Sequence, residues 1–354
     1  MPTREQAFSQ PEALRRLTGP GGAFKLSTDE PDGYGPLRVY DTGPKTLREL
    51  LIASRDFGDR EFLIYEDERL TYLEHYYAVA RLAAWLSAQG VGHGDRVGIC
   101  MRNYPEWSIA FFACQAVGAI AVTLNAWWTA DELAYGISDS GCSVAVLDHE
   151  RYARLLSVLH RLPSLVEPRS FNEPRSFSEP QALQILVVRD PDRVYGIAHW
   201  EDALAEHSDV RELPAASVDP LDIATIMYTS GTTGVPKGAL HSHRNHTTNI
   251  QNTLLAGAVA RAQLTDDLAG EPPIPAAFAS SILRRRCLVP VGCLWSFLSR
   301  SVFDFRDSVV ARLSSFHILP TSRRRDSDLG FFKMFHRFAL VEHLCHDRAT
   351  LQSP

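Results

Sequence analysis

The sequence predicts an α/β fold, with parallel-rich sheets covered by helices. Two observations carry this. Between residues 46 and 229, short runs of strand character alternate with helical patterns, the order that builds parallel sheets with helical crossovers. The chain of 354 residues is also 45% hydrophobic, with 17 Phe, 11 Tyr and 6 Trp, which is enough apolar material for a large buried core and argues against general disorder.

The elements follow in order. Thr46–Phe57 has Leu47, Leu50 and Leu51 on one helical face. Phe62–Tyr65 is a short strand. Thr71-x-x-Glu74 is a capping box that opens a helix to about Gln89, and Gly90 stands where a C-terminal cap belongs. Arg96–Met101 is a strand, and Pro105 suits the first turn of the next helix. Ala119–Leu124 is a strand, Ala130–Asp139 a helix and Ser143–Asp148 a strand. Glu150–His160 is helical, and Gln184–Arg189 and Asp222–Thr229 are strands.

Several function classes fall away. A net charge of −6 and a pI near 6.1 give no nucleic-acid footprint. The six cysteines are scattered without a C-x-x-C pair, which suits reduced, mostly buried thiols in a cytoplasmic protein. The opening MPTREQAFSQPEALRR has no apolar signal core. Trp107 to Ala130 is uncharged, but its pattern changes from helical to β-rich at Gly118, so a buried helix feeding a buried strand explains it better than a membrane span.

The texture of the chain changes near Pro272–Pro275. Residues 274–354 carry twelve Lys and Arg against six Asp and Glu, in a chain whose overall charge is −6. Arg284–Arg286 and Arg323–Arg325 lie there, with many serines and little periodicity; runs this short are ordinarily solvated. Residues 1–272 and 273–354 are therefore read as two regions. Residues 167–180, EPRSFNEPRSFSEP, read as a Pro- and Ser-rich surface insertion.

The chemistry lies after the last strand. Tyr228 to Gly238 reads YTSGTTGVPKG. Gly231, Gly234 and Gly238 allow a backbone path on which amide N–H groups approach a phosphate closely. The hydroxyls of Thr229, Ser230, Thr232 and Thr233 can donate to phosphate oxygens, and Lys237 adds a mobile positive charge. The loop is not a Walker A motif, since Lys237 is followed by Gly238 and not by Ser or Thr.

This string resembles the signature loop of the AMP-forming adenylating enzymes: acyl-CoA synthetases, peptide-synthetase adenylation domains and beetle luciferases. Arg102-Asn103-x-Pro105-Glu106-Trp107, Gly118–Trp127, Glu132-Leu133, Asp139-Ser140-Gly141 and His241–Asn245 resemble neighbouring blocks of that family, with wording nearest the fatty-acyl-CoA synthetases. The resemblance covers about residues 45–265. It implies a large N-terminal adenylation domain, present in part over residues 1–272. It implies a two-step reaction: ATP and a carboxylate give an acyl-adenylate and pyrophosphate, and coenzyme A then takes the acyl group. Mg²⁺, the loop donors Thr229 to Gly234 with Gly238, and Lys237 as the catalytic cation would balance phosphate charge.

The family's later motifs, for adenine and metal, for ribose, and for a C-terminal catalytic lysine, are not found in residues 274–354. Two readings follow: an acyl-activating ligase, or a truncated remnant that binds nucleotide weakly. For residues 273–354, a frame-shifted or disordered tail stands beside an unfamiliar but genuine segment. A sheet without its outer strands would expose an edge. His241, His243 and His246 are read as a strand end and helix start, not as a metal site. Trp127 and Trp128 are read as core packing, with contact to an acyl chain as the alternative.

Overall fold

The structure is a computed structural model that describes residues 8–33, 35–162, 183–229 and 235–262. The Ser/Thr/Gly loop residues 230–234, the Pro/Ser-rich insertion and residues 263–354 lie outside the described residues.

Helix α1 (Gln10–Thr18) and the antiparallel pair β1 (Leu26–Asp29) and β2 (Leu37–Tyr40) come first. Helix α2 (Leu47–Ser54) starts where Thr46 accepts from the Glu49 N–H, and its last turn tightens into a 3₁₀ segment to Phe57. A hairpin follows, β3 (Glu61–Tyr65) and β4 (Glu68–Thr71). Helix α3 (Tyr72–Ala88) opens on the expected capping box: Thr71 and Glu74 exchange side-chain and backbone bonds.

The main body alternates as expected. Strand β5 (Arg96–Cys100) leads to α4 (Pro105–Val117), β6 (Ile120–Thr123), α5 (Ala130–Ser140), β7 (Val144–Asp148) and α6 (His149–Leu156). After the insertion come β8 (Gln184–Val188), the two-residue β9 (Ala198–His199) and α7 (Trp200–Ala205). Strands β10 (Ile223–Thr229) and β11 (Lys237–Ser242) precede α8 (His243–Ala262). Gly118 ends α4 at φ 75°, the left-handed conformation that lets the chain turn directly into β6. The uncharged stretch is thus a buried helix and a buried strand, as expected. No helix among the described residues is long and apolar enough to cross a membrane.

Seven strands form one sheet in the order β11-β10-β6-β5-β7-β8-β9. Every pairing is parallel except β10 with β11. One face packs α2, α3, α4 and α7 around Val79, Leu82, Ile99, Phe111 and Trp200. The other packs α5 and α6 around Leu124, Ile137, Leu147 and Leu155. The chain leaves β5 toward β6 on the first face and returns across β5 to β7 on the second. That reversal puts the topological switch point at the adjacent carboxyl ends of β5 and β7, the crevice where doubly wound sheets bind ligands, two strands away from β10. Helix α8 packs on α1 through Ala13, Leu17, Val259 and Ala262.

The unforeseen elements are α1, β1, β2, β4, β9 and α7. Most are short or at an edge, where pairing with a neighbour decides the conformation more than local pattern does. Cys100, Cys114 and Cys142 are buried free thiols, their pKa values raised by desolvation.

Candidate active site

The candidate site is the mouth of the β10–β11 hairpin. Strand β10 is buried between β6 and β11, with Thr225, Ile226 and Met227 paired to Ala121, Val122 and Thr123. It delivers Thr229 at its carboxyl end. Lys237 opens β11 directly opposite Thr229 in the ladder, so the residues on either side of the loop are held as cross-strand partners. The Thr229 hydroxyl points across the mouth, 3.4 Å from the Lys237 carbonyl oxygen. Lys237 is exposed and faces no acidic partner among the described residues.

The root of the loop is anchored. Tyr228 donates its hydroxyl to Asp139 Oδ2 at 2.6 Å, which ties β10 to α5. Burial, then the Asp139 carboxylate, raises the Tyr228 pKa, so the phenol stays a donor. The Trp128 ring meets Tyr228 edge-on at 5.5 Å. Gly238 lies opposite Tyr228 in the register. A Cβ there would stand 2.9 Å from Ile226 Cγ2 and 3.5 Å from the Tyr228 ring. Gly238 therefore has a packing role: it makes room for the side chains that fix the root. Thr229, Lys237 and Gly238 are brought together as expected; Ser230, Gly231, Thr232, Thr233 and Gly234 lie outside the described residues.

The described donors suit phosphate better than a metal. The hairpin mouth presents a hydroxyl and an ammonium, and the carboxylate that touches its root, Asp139, is engaged by Tyr228. Among the described residues there is no carboxylate cradle for Mg²⁺ here, and the ion would arrive on the phosphates of ATP.

The three histidines after the loop have separate duties. His243 Nδ1 accepts the Leu47 N–H at 3.1 Å and so ties α8 to α2. His246 Nε2 bonds the Thr225 hydroxyl at 2.9 Å. The His241 ring rests 5.6 Å from that of His246. They occupy the predicted strand end and helix start.

Trp127 departs from expectation. It is 68% exposed, with Arg102 Cζ 4.8 Å and Arg151 Cζ 5.6 Å from its ring. Its loop is pinned from below, where Arg151 Nε and Arg154 Nη1 donate to the Ala126 carbonyl and Arg154 also to that of Trp128. Those carbonyls turn inward to the buried Arg151 and the partly buried Arg154 guanidinium groups, and the indole is left outside. Only Trp128 packs as a core aromatic.

A mostly parallel, doubly wound sheet covered by helices on both faces makes this an α/β protein. Residues 52–282 match the AMP-binding enzyme family, and the chain belongs to that family. It is 34% identical over 193 residues to the medium/long-chain-fatty-acid–CoA/3-oxocholest-4-en-26-oate–CoA ligase of Mycobacterium marinum, covering 53% of this chain and 32% of that one. It is 30% identical over 244 residues to 4-hydroxybutyrate–CoA ligase 2 of Metallosphaera sedula, covering 66% and 40%. The fold matches the crystal structure of a long-chain-fatty-acid–CoA ligase from Archaeoglobus fulgidus with a TM-score of 0.50 at 22% identity, covering 61% of this chain and 40% of that one. The chain thus spans 32% to 40% of the length of these curated relatives.

Proposed function

We propose that this chain carries the phosphate-binding part of an ATP-dependent acid–thiol ligase acting on a fatty carboxylic acid. One observation carries the reading: the loop of Ser, Thr and Gly residues is held between Thr229 and Lys237 at the carboxyl end of an inner parallel strand. In the first step a carboxylate oxygen attacks the α-phosphorus of ATP. The new O–P bond forms as the bond to the β-phosphate bridging oxygen breaks, and pyrophosphate leaves. Loop amides and the hydroxyls of Thr229, Ser230, Thr232 and Thr233 would hold the phosphates, and the Lys237 ammonium would balance charge on the departing pyrophosphate. In the second step a coenzyme A thiolate attacks the acyl carbonyl and AMP leaves. Residues 1–272 are the adenylation region in this reading, and residues 273–354 a separate one.

The test is carboxylate-dependent exchange of labelled pyrophosphate into ATP by the full chain, across fatty acids of graded length. Exchange that needs the acid and falls in Lys237→Ala supports the ligase. Absence of exchange with every acid refutes it. The second reading is a protein that binds nucleotide without completing the reaction. It requires ATP binding without exchange.

A further inference from the structure

The hairpin that carries Thr229 and Lys237 overhangs the sheet. Strand β10 pairs with β6 only through Thr225, Ile226 and Met227, and Met227 faces Thr123, the last residue of β6. Tyr228 and Thr229 run on beyond it, paired on one side alone, to Gly238 and Lys237 of β11. A ribbon of two antiparallel strands twists more than a sheet does and is marginal by itself. The backbone ladder therefore holds Thr229 and Lys237 to each other more firmly than it holds either to the body of the domain.

The Tyr228 side chain makes the second connection. It turns from the overhang onto α5, where its hydroxyl lies 2.6 Å from Asp139 Oδ2 and 3.3 Å from the Gly136 carbonyl oxygen. The slot that receives it works against local stability. Gly136 stands inside α5, where glycine weakens a helix. A Cβ there would meet Trp128 Cζ3 at 2.7 Å and Leu124 Cδ2 at 2.9 Å, so the gap admits the indole that flanks Tyr228. Asp139 puts a carboxylate in the last turn of α5, beside the negative end of the helix dipole, and that turn has no basic residue of its own. Arg96 of β5 answers the helix end instead, by donating to the Ser140 and Gly141 carbonyls. The Asp139 carboxylate is occupied by phenols: Tyr228, and Tyr135 one turn earlier on the same helix.

We propose that Asp139 is a positioning residue for the reaction: by holding the Tyr228 hydroxyl, it sets where the overhanging hairpin presents Thr229 and Lys237 to the nucleotide phosphates. This role presupposes the ligase reading. Without the latch the ribbon keeps its ladder and the domain its core, while the two donors lose their fixed place. A misplacement of about 1 Å costs on the order of 100-fold in rate.

The experiment compares Asp139→Ala, Tyr228→Phe and the double variant in the full chain, with Tyr135→Phe as control. The readings are carboxylate-dependent pyrophosphate exchange, MgATP affinity from displacement of trinitrophenyl-ATP, and the melting midpoint. Asp139→Ala and Tyr228→Phe should each lower exchange at saturating ATP and acid about 10-fold or more and weaken MgATP at least ~3-fold. The double variant should lose no more than the larger single loss, as for two residues acting through one bond. Asp139→Ala should keep the midpoint within about 2 °C, because it also removes a charge from the unfavourable end of a helix. Tyr135→Phe should change none of the readings. Wild-type exchange that persists undiminished in both single variants overturns the latch and leaves the ligase reading standing. So do losses that add in the double variant, a midpoint in Asp139→Ala that falls in step with exchange, or a loss in Tyr135→Phe as large as that in Asp139→Ala. Absence of exchange in the wild-type chain refutes the ligase reading, and MgATP affinity then decides the latch. Weaker binding in both single variants upholds it; equal affinity in all variants, or no wild-type binding, overturns it.

Discussion

Acid should unfold this protein through three histidines. His75, His243 and His246 are each exposed by 3% or less. Desolvation lowers their pKa values to about 3, about 4 and about 3. His75 Nε2 bonds Ser108 Oγ at 3.0 Å, joining α3 to α4. All three fold as neutral imidazoles, whereas in the unfolded chain each binds a proton near pH 6.5. The sign follows: the unfolded state holds more protons below that pH, so their contribution is whole above about 6.5 and declines as pH falls toward the folded values. At pH 5 a group with folded pKa near 3 has cost about 2 kcal/mol relative to pH 8. Three such groups, taken as independent, amount to about 6 kcal/mol, much of the 5–15 kcal/mol typical of a domain. The assay is urea unfolding by tryptophan fluorescence at pH 8, 6 and 5, repeated on His75→Gln, which keeps a polar partner for Ser108 without titrating. Stability should fall steeply between pH 6.5 and 5, and His75→Gln should remove about a third of the slope. Equal stability at pH 8 and 5, or an unchanged slope in His75→Gln, refutes the reasoning.

Other perturbations test other parts. Lys237→Ala should lower pyrophosphate exchange about 100-fold with little change in melting, because it removes an exposed side chain that in the proposed reaction balances developing charge. Arg189 pairs with Glu68 and Glu106 between the rings of Tyr65 and Tyr104, so Arg189→Met should destabilise by about 2 kcal/mol in denaturant titrations. Adding Glu106→Gln should restore part of that loss by removing the stranded carboxylate. Thr129→Ala breaks the capping box at the start of α5 and should cost about 1 kcal/mol by the same measurement. Trp127→Ala should change stability by less than about 0.5 kcal/mol, as expected of an exposed indole.

Much of the fold was legible in order along the chain. The Thr71/Glu74 box, Gly90 just past the end of α3 and Pro105 at a first turn are local signals, and each marks the element it announced. The apolar runs of β5, β6, β7 and β8 were legible because strands buried on both faces need little polarity. Strand β11 was legible only at its His241 end: Lys-Gly-Ala-Leu-His-Ser has no alternation, and it is extended because β10 offers it a free edge. Trp127 was misjudged because its exposure depends on Arg151 and Arg154, which lie more than twenty residues further along the chain.

The candidate site divides the same way. The sequence by itself determined the loop, its glycines and hydroxyls, and the lysine that closes it, because the proposed phosphate contacts would come from contiguous residues. Only the tertiary structure decided that Thr229 and Lys237 are cross-strand partners, that Gly238 makes room for Tyr228, and that Tyr228 is moored to Asp139, 89 residues away. Strand order is the physical reason. Propensity and capping act within a few residues, whereas the placing of β10 beside β6, and of β8 beside β7, is set by the burial of two sheet faces at once.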